Sequence, residues 1–136
     1  MEKLNSKKKI AVFISGRGSN LKNLKNYSKL KRSPFKIGLV LSNKSEAKGL
    51  KYAKINKIKK YVFEKNLSLF EAEALRLIKK FDIKIICLAG FMRILTPLFL
   101  KKVKIPVINI HPSLLPRLKG LNTHLRAIKA KHKYSG

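Results

Sequence analysis

Cysteine, carboxylates and long apolar runs are all scarce in this chain, and each scarcity excludes something. A single cysteine, Cys87, rules out a disulfide framework. Set inside the apolar run Ile85–Leu88, it reads as a small core residue, and a reducing cytoplasm is its expected home. No apolar run reaches the roughly 18 residues that a membrane helix needs. Ile10–Ile14, behind a lysine-rich start, is too short for the core of a signal peptide. Cys/His clusters with zinc-ligand spacing are missing, so no metal is expected, and no Gly-x-Ser-x-Gly elbow marks a serine hydrolase. Only six Asp and Glu stand against 33 Lys and Arg, and no carboxylate follows Asp82.

The resulting net charge of +27 favours anionic partners such as nucleic acid, anionic lipid or phosphorylated substrates. The positive residues are 27 Lys and only 6 Arg, spread along the whole chain. Base readers rely on arginine forks and interleaved aromatics, and neither pattern is present. Abundant Lys, Ile and Asn together read as a compositional bias. No specific nucleic-acid partner is therefore expected, beyond weak binding at low salt.

The 136 residues, 45% hydrophobic, suffice for one domain, residues 1–136, with residues 1–8 as a flexible basic tail. Strand and helix signals alternate. Strands are expected at Lys9–Ser15, Lys36–Ser42, Lys60–Phe63, Ile83–Ala89 and Val107–Ile110. Helices are expected from Gly16–Asn20 to about Lys31, from Glu46 to about Asn56, and over Ser68–Phe81, with Ser68 as N-cap and Glu71 closing a capping box. Thr96 and Pro97 start another as N-cap and first residue, and Thr123 caps a last one running to about Lys133. Such alternation predicts an α/β, Rossmann-like doubly wound, mostly parallel sheet with helices on both faces. Ligands bind such sheets beyond the carboxyl ends of the strands, where the strand order reverses, here between the first and fourth strands. Three loops fall on that edge: Gly16–Asn20, Gly90–Leu95 and His111–Pro116.

Gly16–Asn20 offers close backbone approach and a helix start suited to phosphate. Position 21, where a dinucleotide fingerprint carries its third glycine, is leucine, and no Walker A spacing follows. The plain alternative is an ordinary turn with Ser19 or Asn20 as N-cap. Gly90–Leu95 sets one arginine among apolar residues, which suits a flat heteroaromatic ring. The plain alternative packs Phe91, Ile94 and Leu95 in the core and leaves Arg93 in solvent. At the end of the fifth strand, Val107, Asn109 and His111 share one face and Ile108 and Ile110 the other. A lone strand histidine is more often structural, but a carboxamide beside an imidazole at a strand's end can polarise a carbonyl and handle a proton. No carboxylate near His111 in sequence is available to tune it, since Glu46, Glu64, Glu71 and Glu73 belong to other elements.

The segments Ile14–Leu21, Leu41–Asn43, Cys87–Leu95, Asn109–Pro116 and Gly120–His124, in this order, together resemble the phosphoribosylglycinamide formyltransferases. The resemblance implies the formyltransferase fold with its C-terminal part missing, and a transfer of the formyl group of 10-formyltetrahydrofolate to glycinamide ribonucleotide. By the same resemblance Gly18, Ser19 and Asn20 bind the substrate phosphate. Met92, Arg93, Ile94 and Leu95, with Asn109, form the folate site, partly through backbone groups, and Asn109 and His111 are catalytic. A catalytic Asp of the family falls after the equivalent of Gly136, which implies a truncated chain with weak phosphate binding and slow or no turnover. Leu67 stands where the family often has arginine, and Asn122 where it commonly has histidine. A methionyl-tRNA formyltransferase, a formyltetrahydrofolate deformylase and a non-catalytic phosphate or polyanion binder remain as alternatives.

Overall fold

A computed structural model describes residues 7–110. The strands are β1 (Lys8–Ile14), β2 (Phe35–Ser42), β3 (Lys60–Val62), β4 (Ile85–Ala89) and β5 (Val107–Ile110). The helices are α1 (Ser19–Ser28), α2 (Lys48–Ile55), α3 (Leu67–Lys80) and α4 (Pro97–Val103). All strand pairs are parallel and the order is β3-β2-β1-β4-β5, so the order reverses at β1 and β4, as the alternation requires.

Ile10–Ile14 is apolar at every position because β1 is central and covered on both faces. Its alternating side chains feed two cores. Ala11 and Phe13 join Phe70, Ala74 and Leu77 of α3 and Phe99 and Val103 of α4. Ile10, Val12 and Ile14 join Leu21 of α1 and Leu50 and Ala53 of α2.

Several boundaries differ from the pattern reading. β1 takes in Lys8, and the Lys7 ammonium donates to the Ser28 and Leu30 carbonyls at 2.7 and 2.8 Å, a cation placed at the carboxyl end of α1. The last two residues of the expected basic tail are thus part of the fold, while residues 1–6 lie outside the described residues. α1 stops at Ser28, short of Lys31, where the Ser28 hydroxyl turns back on the Lys25 carbonyl. The α3 cap is Asn66, whose Oδ1 accepts from the Leu69 N–H at 2.8 Å, and Ser68 is inside the helix. Asn and Ser cap about equally well, so packing decides. Starting at Leu67 lets that residue lie against the core with Phe70 and Ala74. Glu71 then sits beyond the N3 position that a capping box needs, and its carboxylate instead accepts from Thr96 N–H at 2.7 Å and Thr96 Oγ1 at 2.8 Å. Thr96 caps α4 as expected, accepting from the Phe99 N–H at 3.1 Å, with Pro97 behind it. The helix expected after Thr123 lies outside the described residues.

Cys87 packs in the second core, and burial pushes its thiol up to about 11. At pH 8 its alkylation is expected to run about a hundredfold slower than that of an unfolded control, because only the thiolate reacts. Equal rates, read by mass spectrometry with and without denaturant, would contradict this burial.

Candidate functional site

The loops following β1, β2 and β4 meet at the carboxyl edge of the sheet, and three devices fix them there. The first is a pair of glycines. Gly18, at φ 84°, is the N-cap of α1, so neither Ser19 nor Asn20 caps the helix. A Cβ on Gly18 would lie 2.6 Å from the Gly49 Cα, and Gly49 N–H donates to the Gly16 carbonyl at 3.0 Å. The loop Gly16–Asn20 is thus braced against the first turn of α2. Gly49 does for this loop what the third glycine of a dinucleotide fingerprint does: it lets a helix come close. With no side-chain cap hydrogen bond and no acidic residue in its first turn, the start of α1 is an arrangement that suits an anion.

The second device is Ser15. Its hydroxyl donates to Asn43 Oδ1 at 2.6 Å and accepts from the Met92 N–H at 2.7 Å, joining the ends of three adjacent strands. The third is the anchoring of the loop after β4. Phe91 sets its ring against Phe13 and Phe70, with centroids 5.5 and 5.0 Å away, and Leu95 is 7% exposed within the first core. Thr96 is held by Glu71. Between these anchors Met92 and Ile94 are 71% and 88% exposed, and Arg93 is also exposed. The plain reading of this loop therefore holds for Phe91 and Leu95 and fails for Ile94. Leu95 can offer a ligand only its backbone. Met92 and Ile94 thus offer a ligand two exposed apolar side chains on a fixed loop.

A cavity of about 640 Å³ opens beside this loop, lined by Ser15, Asn43, Lys44, Glu46, Glu64, Met92 and Arg93. The Ser45 N–H, its hydroxyl and the nearby Lys44 hold the Glu64 carboxyl below the ordinary 4.5, so it is charged at neutral pH and ties the β2 loop to the end of β3.

Asn109 is half-buried near the end of β5, opposite Leu88 in register. Val107, on its face, belongs to the first core, and Ile110, on the other, lies against the second, as the alternation predicts. His111, His124 and His132 lie outside the described residues, so the pairing of Asn109 with His111 rests on the sequence. Among the described residues no group of three or more His, Cys, Asp or Glu could hold a metal ion, and no helix is long and apolar enough to cross a membrane.

Ser15, Asn43 and Gly49 carry no role in the pattern reading. Ser15 was within reach, as a polar residue ending an apolar strand on the same face as Phe13. A glycine inside a helical pattern likewise marks close backbone approach.

Comparison with known proteins identifies the family and the fold. The family described as Formyl transferase matches residues 8–136. The phosphoribosylglycinamide formyltransferase of Haemophilus influenzae is 43% identical over 128 residues, 90% of this chain and 60% of its own length. The trifunctional purine biosynthetic protein adenosine-3 of Gallus gallus is 41% identical over 135 residues, covering 96% of this chain and 14% of that protein. The crystal structure of phosphoribosylglycinamide formyltransferase from Brucella melitensis superposes with a TM-score of 0.77 at 37% identity, over 92% of this chain and 67% of the other. The chain thus spans about 60% of the bacterial relative and a small part of the trifunctional one.

Proposed function

Because this chain belongs to the formyl transferase family, we propose that its site moves the formyl group of 10-formyltetrahydrofolate to the amine of 5′-phosphoribosylglycinamide, a step of purine synthesis. The observation that carries this reading is the junction of two dissimilar loops at the switch point, one fit for a phosphate and one fit for a flat ring.

Gly18, Ser19 and Asn20 receive the phosphate of the acceptor through the leading N–H groups of α1. Met92, Arg93 and Ile94 receive the folate, the two apolar side chains against the ring system and the backbone of the loop, Leu95 included, against its polar edge. Attack of the glycinamide amine on the formyl carbon gives a tetrahedral oxyanion. The Asn109 carboxamide donates to that oxygen, and the His111 imidazolium stabilises it; as the carbon–folate nitrogen bond breaks, His111 gives its proton to the departing nitrogen and regains one from the attacking amine. The chemistry calls for no metal and no covalent enzyme intermediate. The basic surface, +27 overall, draws both anionic substrates to the rim.

Titration calorimetry with glycinamide ribonucleotide and with tetrahydrofolate, followed by a transfer assay with 10-formyltetrahydrofolate, tests the proposal. Both ligands are expected to bind, and the formylated ribonucleotide is the expected product in a chain extended past Gly136 with the corresponding segment of the Haemophilus influenzae relative. Formylation of methionyl-tRNA, formate release without acceptor, or binding of RNA alone would each overturn it.

A further inference from the structure

The Ser15 hydroxyl is committed on both sides: its one proton goes to Asn43 Oδ1, and a lone pair receives the Met92 N–H. These bonds reach across 28 and 77 residues of sequence, and Ser15 is only 6% exposed, so water replaces neither of them readily. Among the described residues, the backbone at the start of the segment that it holds has no other hydrogen bond. Gly90 is exposed at φ 78°, and a Cβ there would meet nothing within 4 Å. Phe91 is anchored by its ring, but among the described residues the Met92 N–H carries the one hydrogen bond of the backbone between Gly90 and Arg93, and Ser15 accepts it. Ser15 also directly precedes Gly16, whose carbonyl is bonded to Gly49. One side chain therefore sits at the root of the anion loop and grips the backbone of the ring-binding loop.

We propose that Ser15 is the positioning residue that sets the folate loop in register with the phosphate loop, and that Asn43 aims its hydroxyl for the task. The inference rests on the functional reading above for the identity of the two ligands, but not for the tether itself. Asn43, by taking the hydroxyl proton, turns the oxygen lone pair toward Met92. An acceptor at position 43 is what matters, so Asn43→Asp preserves the device and Ser15→Ala removes it.

The test measures amide hydrogen exchange at Met92 relative to Val12 in β1, and dissociation constants for tetrahydrofolate and ribose 5-phosphate, in the unaltered chain and both variants. Ser15→Ala is expected to speed Met92 exchange and to weaken tetrahydrofolate binding, each about tenfold, while ribose 5-phosphate stays within about twofold. Asn43→Asp keeps the acceptor and is expected to hold Met92 exchange within about twofold of the unaltered chain. Unchanged Met92 exchange in Ser15→Ala would overturn the proposal. So would equal weakening of both ligands, or faster exchange at Val12 to the same degree, since those mark a general structural role. Should the unaltered chain bind neither ligand, the functional reading fails, and Met92 exchange still decides for or against the tether.

Discussion

Gly18→Ala is expected to lower stability by about 3 kcal/mol and to abolish phosphate binding. Two costs add. An L-residue in the left-handed region costs about 1–2 kcal/mol, and Gly18 lies at φ 84°. A methyl group would also sit 2.6 Å from the Gly49 Cα, a backbone atom that cannot swing aside, and overpacking of this kind costs about 1–3 kcal/mol. α1 and α2 would have to part, taking the N–H groups of the anion loop with them. For a chain of this size the melting temperature should drop by about 10 °C, read by circular dichroism. Gly49→Ala is the milder counterpart, because its shortest contact, 2.7 Å, is with the Cδ1 end of the Ile14 side chain. Gly16→Ala is the control, with nothing within 4 Å of the added carbon. A Gly18→Ala variant as stable as Gly16→Ala would mean that the two helices do not meet as described.

Asn109→Ala and His111→Ala are expected to lower turnover by about a hundred- to a thousandfold, the range seen when one donor to a developing oxyanion is removed. The comparison is made in a chain extended past Gly136 with the corresponding segment of the Haemophilus influenzae relative, where the resemblance places a catalytic Asp. Because both side chains act chiefly on the tetrahedral species, KM should change little while kcat falls. Asn109 is half-buried near the end of β5 and belongs to neither core, so its loss leaves both cores packed. Steady-state kinetics with full retention of kcat in Asn109→Ala would remove the carboxamide from the mechanism.

The architecture was legible because its signals are local. An unbroken apolar run such as Ile10–Ile14 announces a strand covered twice, and the helical spacing after Asn66 announces α3. Long-range contacts decided the rest. Asn66 and Ser68 are equivalent as caps in sequence, and only the burial of Leu67 selects Asn66. Glu71 reads as half of a capping box until Thr96, 25 residues on, is found to claim it. In the site, the two loops were recognisable, but their division into anchors and presented side chains was not: nothing local to the segment after Gly90 says that Leu95 turns inward while Ile94 turns outward. Ser15 and Gly49 carried local signals, but their partners escaped for the same reason, since the chain reaches each only across another strand or helix.

The loop after β4 is fixed by Phe91, by the Met92 amide, by Leu95 and by Thr96 before any ligand arrives. A surface held so firmly has little conformational freedom left to surrender on association. On the proposed reading it is a template rather than a lid, so capture of the folate ring should proceed at the pace of diffusive encounter, with no slow ordering phase.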